Sequence, residues 1–248
     1  MHQVFIQSEA FQEVKAILSK DQFKHVSQVL RVKKGEFLTL VIDQHVKIIV
    51  EVSHLQDDTL FFEVKNKIYP DKKKVEFTLF QCLPKQDKFS DILNACTQLG
   101  VHEVVPVLSE RVITKLTHSK IYSKTKRWEL ILESASAQSQ RFDIPRLAPA
   151  MSLRDLPKYL EKSNIDLLLF AWEEDQTTFL SEILQQQTLH ESNISIGIII
   201  GPEGGISLNE ASYLKSIGCK SFTLGKTILR VEIAAISVLS QLKYFYRL

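Results

Sequence analysis

The residue types best suited to chemistry in this chain gather at two glycine corners. The run IIIGPEGGIS, residues 198–207, passes abruptly from apolar residues into Gly201-Pro202-Glu203-Gly204-Gly205. Downstream, FTLGKTILRVE breaks in the same manner at Leu224-Gly225. Gly201 frees a strand end, Pro202 fixes φ, and Gly204-Gly205 permits positive φ and close approach by a ligand. Ser207 followed by Glu210 makes a capping box, so a helix must start directly after the glycines. The spacing fits neither G-x-G-x-x-G nor a Walker loop. A dinucleotide enzyme is disfavoured further because no ribose-binding acidic signal accompanies it. On spacing alone the first corner is either a tight turn or the wall of a pocket.

The second corner favours the pocket. Two such corners after successive strands of a parallel sheet lie side by side, at the strand ends where α/β proteins bind ligands. Walls of Ile200, Leu224 and Leu229, with backbone groups from Gly201 and Gly225, suit a small planar ligand such as an adenine ring.

The elements needed to hold these corners are legible from Val75 onward. VEFTLFQCL, EVVPVL, IDLLLFA, ISIGIII and CKSFTL read as strands. DKFSDILNACTQLG places Phe89, Ile92, Leu93, Cys96 and Leu99 on one helical face, closed by Gly100. Further helices fall on SKIYSKTKRWELILESASAQSQ, TTFLSEILQQQ and SLNEASYLKSIG. Alternating strands and helices predict an α/β domain over 75–248, a mainly parallel sheet covered on both faces. The last run, TILRVEIAAISVLSQLKYFY, reads as a helix that is apolar nearly all round and therefore buried in a core or against a partner chain.

Residues 1–70 differ in character. EFLTLVID, VKIIVEV and TLFFEVKNKI are strand-like, with a hairpin at Asp43-Gln44-His45 and a short helix over Asp21–Leu30, so a compact barrel or sandwich is expected. Tyr69-Pro70-Asp71 and Lys72-Lys73-Lys74 read as a linker.

The totals exclude several classes. The chain has 248 residues, 44% hydrophobic and 24% charged, with a net charge of only +2. Such a balance argues for no polyanion by itself, although residues 71–130 carry eleven basic against seven acidic side chains. No apolar run reaches the roughly 18 residues of a membrane helix, and Met1–Phe5 is unlike a signal peptide, so a cytoplasmic protein is expected. Cys82, Cys96 and Cys219 fit no disulfide framework or zinc spacing, and the seven histidines form no H-x-x-x-H pair, so no metal site is expected.

The two corners together, IGPEGGIS..E and G.....LGK.ILR.E.A, resemble the C-terminal signature of the RsmE family, the 16S ribosomal RNA uridine-N3 methyltransferases of the SPOUT superfamily. PKQDKFSDILNACTQLGVHEVVPVLSER, RWELILESASAQSQRFDIPRL and HVSQVLRVKKGE resemble further segments of the family in the same order. The resemblance implies a PUA-like β-barrel at residues 1–70 that grips RNA, and a domain at 75–248 whose end threads a trefoil knot. It implies S-adenosylmethionine bent between the two corners, a homodimer, and a uridine of the small ribosomal subunit as substrate. Three positions depart from the family pattern: Gln98 and Ala137 replace carboxylates, and Ile233 replaces a threonine.

The same resemblance suggests roles. Arg230 is expected to orient the uracil and favour its anion, the alternative being a structural salt bridge with Glu203 or Glu232. Glu203 and Glu232 are the candidate proton acceptors, and Glu203 is equally a candidate strut for its loop. Trp172 follows the strand LLLFA and is expected to line the pocket, while Trp128 is expected to anchor a helix in the core. RNA contacts are expected from His25, Arg31, Lys33 and Lys34 in the first domain and from Lys85, Lys88, Arg111 and Arg141 in the second. Rival readings are ribose 2′-O-methylation on the same fold, or an assembly factor that binds ribosomal RNA without catalysis.

Overall fold

The computed structural model describes residues 1–71, 75–85, 87–112, 118–186 and 194–248, so the lysine run at 72–74 lies outside the described residues. The chain divides into two compact units. One holds the residues up to 71 together with Glu133–Ile144, and the other holds the remaining described residues.

The first unit contains β1 (His2–Ile6), β2 (Phe11–Gln12), β3 (Lys15–Ile17), α1 (Lys20–Lys24), β4 (Phe37–Ile42), β5 (Val46–Gln56) and β6 (Thr59–Ile68). They form a six-stranded sheet in the order β1-β4-β5-β6-β3-β2. Only the β1–β4 pairing is parallel. The β4–β5 hairpin turns at Asp43 and Gln44, whose φ values of 47° and 61° give the mirror-image turn that matches strand twist. Alternate residues such as Leu38, Leu40, Ile48, Val50, Leu60 and Phe62 fill the core. The helix expected over Asp21–Leu30 is α1, started by a capping box from Ser19 to Gln22 and continued as a π-helical turn over His25–Val29. Segment 140–144 is pinned to this sheet. Gln3 Nε2 donates to the Arg141 carbonyl at 2.7 Å, and the Gln44 side chain accepts from the Ile144 amide at 2.7 Å.

The second unit comprises β7 (Val75–Cys82), α2 (Lys88–Gln98), β8 (Glu103–Leu108), α3 (His118–Gln138, whose final residues cluster with the first unit), β9 (Arg146–Leu147), β10 (Met151–Ser152), α4 (Leu156–Leu160), β11 (Leu167–Ala171), α5 (Leu180–Gln186), β12 (Ile194–Ile200), α6 (Leu208–Ser216), β13 (Lys220–Phe222) and α7 (Val231–Tyr246). Its sheet runs β10-β8-β7-β12-β11-β13, with β9 beside β8, and every pairing is parallel. All strand C-termini therefore reach one edge. The strands are apolar on both faces because helices cover both. Phe80, Val105, Phe170 and Ile199 pack with Leu156, Ala211 and Leu214 of α4 and α6, whereas α7 packs on α2 and β12. Trp128 is buried against Phe89, with ring centroids 4.5 Å apart, as a core anchor.

The three cysteines are buried, and burial pushes each thiol up to about 12, so they behave as small apolar side chains. The last helix is shorter than its apolar run: Thr227–Arg230 is loop, and α7 starts at Val231. The helix begins where side chains reach the core, at Val231, Ala234, Ala235, Val238, Leu239 and Leu242, whereas Ile228 before it is 91% exposed. Ile233, Tyr244 and Phe245 are exposed as well, so α7 is not apolar-buried on every side.

Candidate active site

The first corner follows β12, the central strand between β7 and β11. The Gly205 amide donates to the Pro202 carbonyl at 2.8 Å, closing a tight turn that needs φ of +70° at Gly205. Ser207 and Glu210 form the expected capping box that starts α6. Loops at the ends of neighbouring strands hold the corner. After β7, the Lys85 amide donates to both Glu203 carboxylate oxygens at 3.0 and 3.1 Å. After β8, Arg111 Nη1 donates to the Gly204 carbonyl at 2.7 Å. After β11, Trp172 Nε1 donates to the Ile206 carbonyl at 3.3 Å, and Lys215 Nζ lies 4.6 Å from the Trp172 ring centre. A side chain at Gly201 would meet Ile206 Cγ1 at 3.0 Å and the Gly205 carbonyl carbon at 3.2 Å. The corner is thus packed from behind and fastened from three sides.

The second corner leaves β13 at Thr223 and reaches α7 at Val231. Gly225 has φ of +107°, and its amide donates to Thr223 Oγ1 at 3.1 Å. A Cβ there would have no atom of the described residues within 4 Å, so the backbone angle and not crowding demands glycine.

Between the corners lies a cavity of about 450 Å³, a volume suited to a small-molecule ligand. Every residue assigned to it from sequence lines it: Trp172, Ile200, Gly201, Gly204, Gly205, Leu224, Gly225 and Leu229. Glu203, Arg230 and Lys88 line it too. The residues fit an adenine-bearing cofactor: apolar walls for a flat ring, bounded by glycine backbone at both ends.

The charged residues sort differently from the sequence expectation. Lys88 Nζ lies 3.4 Å from Glu203 Oε1 and 3.6 Å from Glu232 Oε2, so Lys88, placed above among RNA contacts, bridges the two carboxylates. Arg230, the Ncap residue of α7, is exposed and makes no ion pair among the described residues, so the salt bridge with Glu203 or Glu232 is not formed. Arg111 spends its guanidinium on the corner. Arg141 is 11% exposed and paired with Asp143 at 3.1 Å. His25, Arg31, Lys33 and Lys34 are exposed in the first unit. Of the departures, Gln98, Ala137 and Ile233, none lines the cavity. Sequence reading missed Glu173, which also lines it; the signal was a carboxylate two residues past the end of a buried strand.

Comparison with known proteins agrees with this geometry. Residues 71–243 match the family model of the RNA methyltransferase domain. Ribosomal RNA small subunit methyltransferase E of Rickettsia conorii is 30% identical over 98% of this chain and 95% of its own length. The Bacillus subtilis protein of that name is 26% identical over 92% and 89%. Among solved structures, ribosomal RNA small subunit methyltransferase E from Neisseria gonorrhoeae bound to S-adenosylmethionine superposes with a TM-score of 0.82 at 24% identity, covering 99% of this chain and 98% of that one. A parallel-sheet α/β domain with a cavity between two glycine corners, a family model over most of the chain and a relative aligned along nearly its whole length lead to one conclusion: the protein belongs to the RNA methyltransferase family, in the group of ribosomal RNA small subunit methyltransferase E.

Proposed function

We propose that this protein is an S-adenosylmethionine-dependent methyltransferase that modifies N3 of a uridine in 16S ribosomal RNA. The observation that carries the reading is the cavity between Gly201–Gly205 and Leu224–Leu229, on the strand edge where α/β folds bind ligands. The bound cofactor supplies a methyl group on a sulfonium, which an in-line attack by a lone pair can take. The chain's part is to hold the uracil and favour its deprotonated form. Arg230 does this at the cavity wall, since its cation pairs with no carboxylate among the described residues and N3 deprotonation spreads charge over the ring carbonyls. Glu203 is engaged by the Lys85 amide and Lys88, which makes it a strut. Glu232 shares Lys88, 3.6 Å from its Oε2, but unlike Glu203 it takes no backbone amide, and that buried oxygen has no hydrogen bond among the described residues, so it is the better proton acceptor.

In this reading residues 1–70 form a PUA-like RNA-gripping barrel, with His25, Arg31, Lys33 and Lys34 meeting phosphates, and 75–248 form the methyltransferase domain, its end threaded as a trefoil knot. The protein works as a homodimer in the cytoplasm. The target base must leave its stack to reach the cavity.

The test uses small ribosomal subunits from cells lacking this gene, with naked 16S ribosomal RNA alongside. Incubation with protein and cofactor should restore N3-methyluridine in digested nucleosides, read by mass spectrometry. A ribose methyl in its place, or no methyl at all, would overturn the assignment.

A further inference from the structure

Among the described residues two carboxylates, Glu173 and Glu203, line the cavity, and they are not equivalent. Glu203 is consumed by the Lys85 amide and Lys88. Glu173 has no hydrogen bond or ion pair among the described residues, yet the chain around it is firmly placed. The Trp172 amide donates to the Phe222 carbonyl at 3.0 Å, and its indole holds Ile206. The Asp175 amide donates to the Trp172 carbonyl at 3.2 Å, making a turn across Glu173. Asp175 in turn accepts from the Thr178 amide at 3.0 Å and the Ser221 hydroxyl at 2.5 Å. Partial burial opposes ionisation of Asp175, but the Ser221, Thr178 and Thr177 donors outweigh it and hold its carboxyl below the usual range. Glu173 is thus an acceptor with no partner among the described residues, on an anchored turn.

Its position in the sheet says what it accepts from. Glu173 follows the C-terminus of β11, which pairs in parallel with β12, the strand that ends in the glycine corner. Its carboxylate lies against Gly205, where an added Cβ would fall within bonding distance of Oε1. Dinucleotide-binding sheets use the same relation: glycines follow one strand, and an acidic residue that accepts from the ribose hydroxyls follows its neighbour. The resemblance is of geometry alone, since the glycine spacing here is different.

We propose that Glu173 accepts the hydroxyls of the cofactor's ribose, an inference that rests on the cavity being the S-adenosylmethionine site. Isothermal calorimetry on the full chain tests it, with S-adenosylmethionine and 5′-methylthioadenosine as ligands. The second ligand keeps adenine and ribose but lacks the amino acid and the sulfonium charge. Glu173→Gln should weaken both by the same factor, about ten- to hundredfold, as expected for a lost hydrogen bond to a charged group. Loss confined to S-adenosylmethionine would assign Glu173 to the cationic end and overturn the proposal, and unchanged affinity for both would do the same. Glu173→Asp, with a shorter reach, should fall between Gln and wild type for both ligands, which guards against misfolding of a single variant. If wild type binds neither ligand, the cofactor reading itself fails, a result separate from any effect at Glu173.

Discussion

The two glycine corners have similar sequences of events, strand, glycine, loop and helix, but opposite mechanical characters. The first, Gly201–Gly205, is held by Lys85, Arg111 and Trp172 from three neighbouring loops, and its helix starts in a closed capping box. The second, Leu224–Arg230, has the local Thr223–Gly225 bond, an Ile228 that is 91% exposed and an Arg230 without an ion pair among the described residues. A wall that must present backbone at fixed positions needs the first construction. A lip that meets a cofactor on one side and a large substrate on the other is better served by the second, because side chains not already committed can take new partners.

The sharpest way to break this comparison is to put valine at one glycine in each corner. At Gly225 the space is open but φ is +107°, which a β-branched residue does not adopt, so the loop must move. Gly225→Val should lower cofactor affinity by about hundredfold or more while Tm stays within about 2 °C, since a conformational change in an exposed loop costs the core little. Gly201→Val should lower affinity as well, but with a fall in Tm, because its side chain meets Ile206 and Gly205 and overpacking costs about 1–3 kcal/mol. Calorimetry and thermal melting on both variants decide the matter. Equal melting losses would mean that the corners are built alike.

A second substitution, without the change in cofactor affinity, separates the two sides of the lip. Arg230→Ala should leave cofactor affinity within about threefold of wild type while kcat on ribosomal subunits falls about 10²–10³-fold, the usual cost of removing one group that stabilises developing charge. Single-turnover methylation beside cofactor calorimetry measures both. Full activity would remove the electrostatic role, and loss of cofactor binding would move Arg230 to the cofactor side of the lip.

The sequence showed the two corners and the parallel sheet because both are written locally. Buried parallel strands leave continuous apolar runs, Ser207-x-x-Glu210 is a local capping signal, and glycine at a strand end announces an unusual backbone. The walls Ile200, Leu224 and Leu229 followed from adjacency to those glycines. What spacing could not carry was pairing across the chain. Lys88 lies far in sequence from Glu203 and Glu232; the pairing of β7 with β12 brings its helix beside the first, and the packing of α7 on α2 brings it beside the second. For the same reason Arg111 read as an RNA contact and not as the brace of Gly204. Glu173 was passed over because the acidic residue of a nucleotide site is ordinarily sought after the glycine strand, whereas here its strand comes earlier in the chain. The start of α7 was misplaced because apolar residues such as Ile228 continue the hydrophobic pattern while facing solvent.

The smallest predicted effect concerns Glu203, the one acidic residue inside the first corner. As a proton acceptor it would be worth about 10²–10⁴-fold in rate. As a strut it would be worth about 1 kcal/mol of stability, the ordinary net value of a hydrogen bond, and almost nothing in rate. Its geometry favours the strut, since both oxygens already face the Lys85 amide and one faces Lys88. A carboxylate receiving those donors would have to surrender them to accept a proton from a base. Glu203→Gln keeps one carbonyl oxygen for the Lys85 amide and loses the charge opposite Lys88. Its kcat should therefore stay within about threefold of wild type, with Tm lower by about 2–4 °C for a chain of this size. A hundredfold loss of kcat at unchanged Tm would reverse the assignment, making the corner's carboxylate a catalyst and the contrast between a fixed wall and a reactive lip untenable.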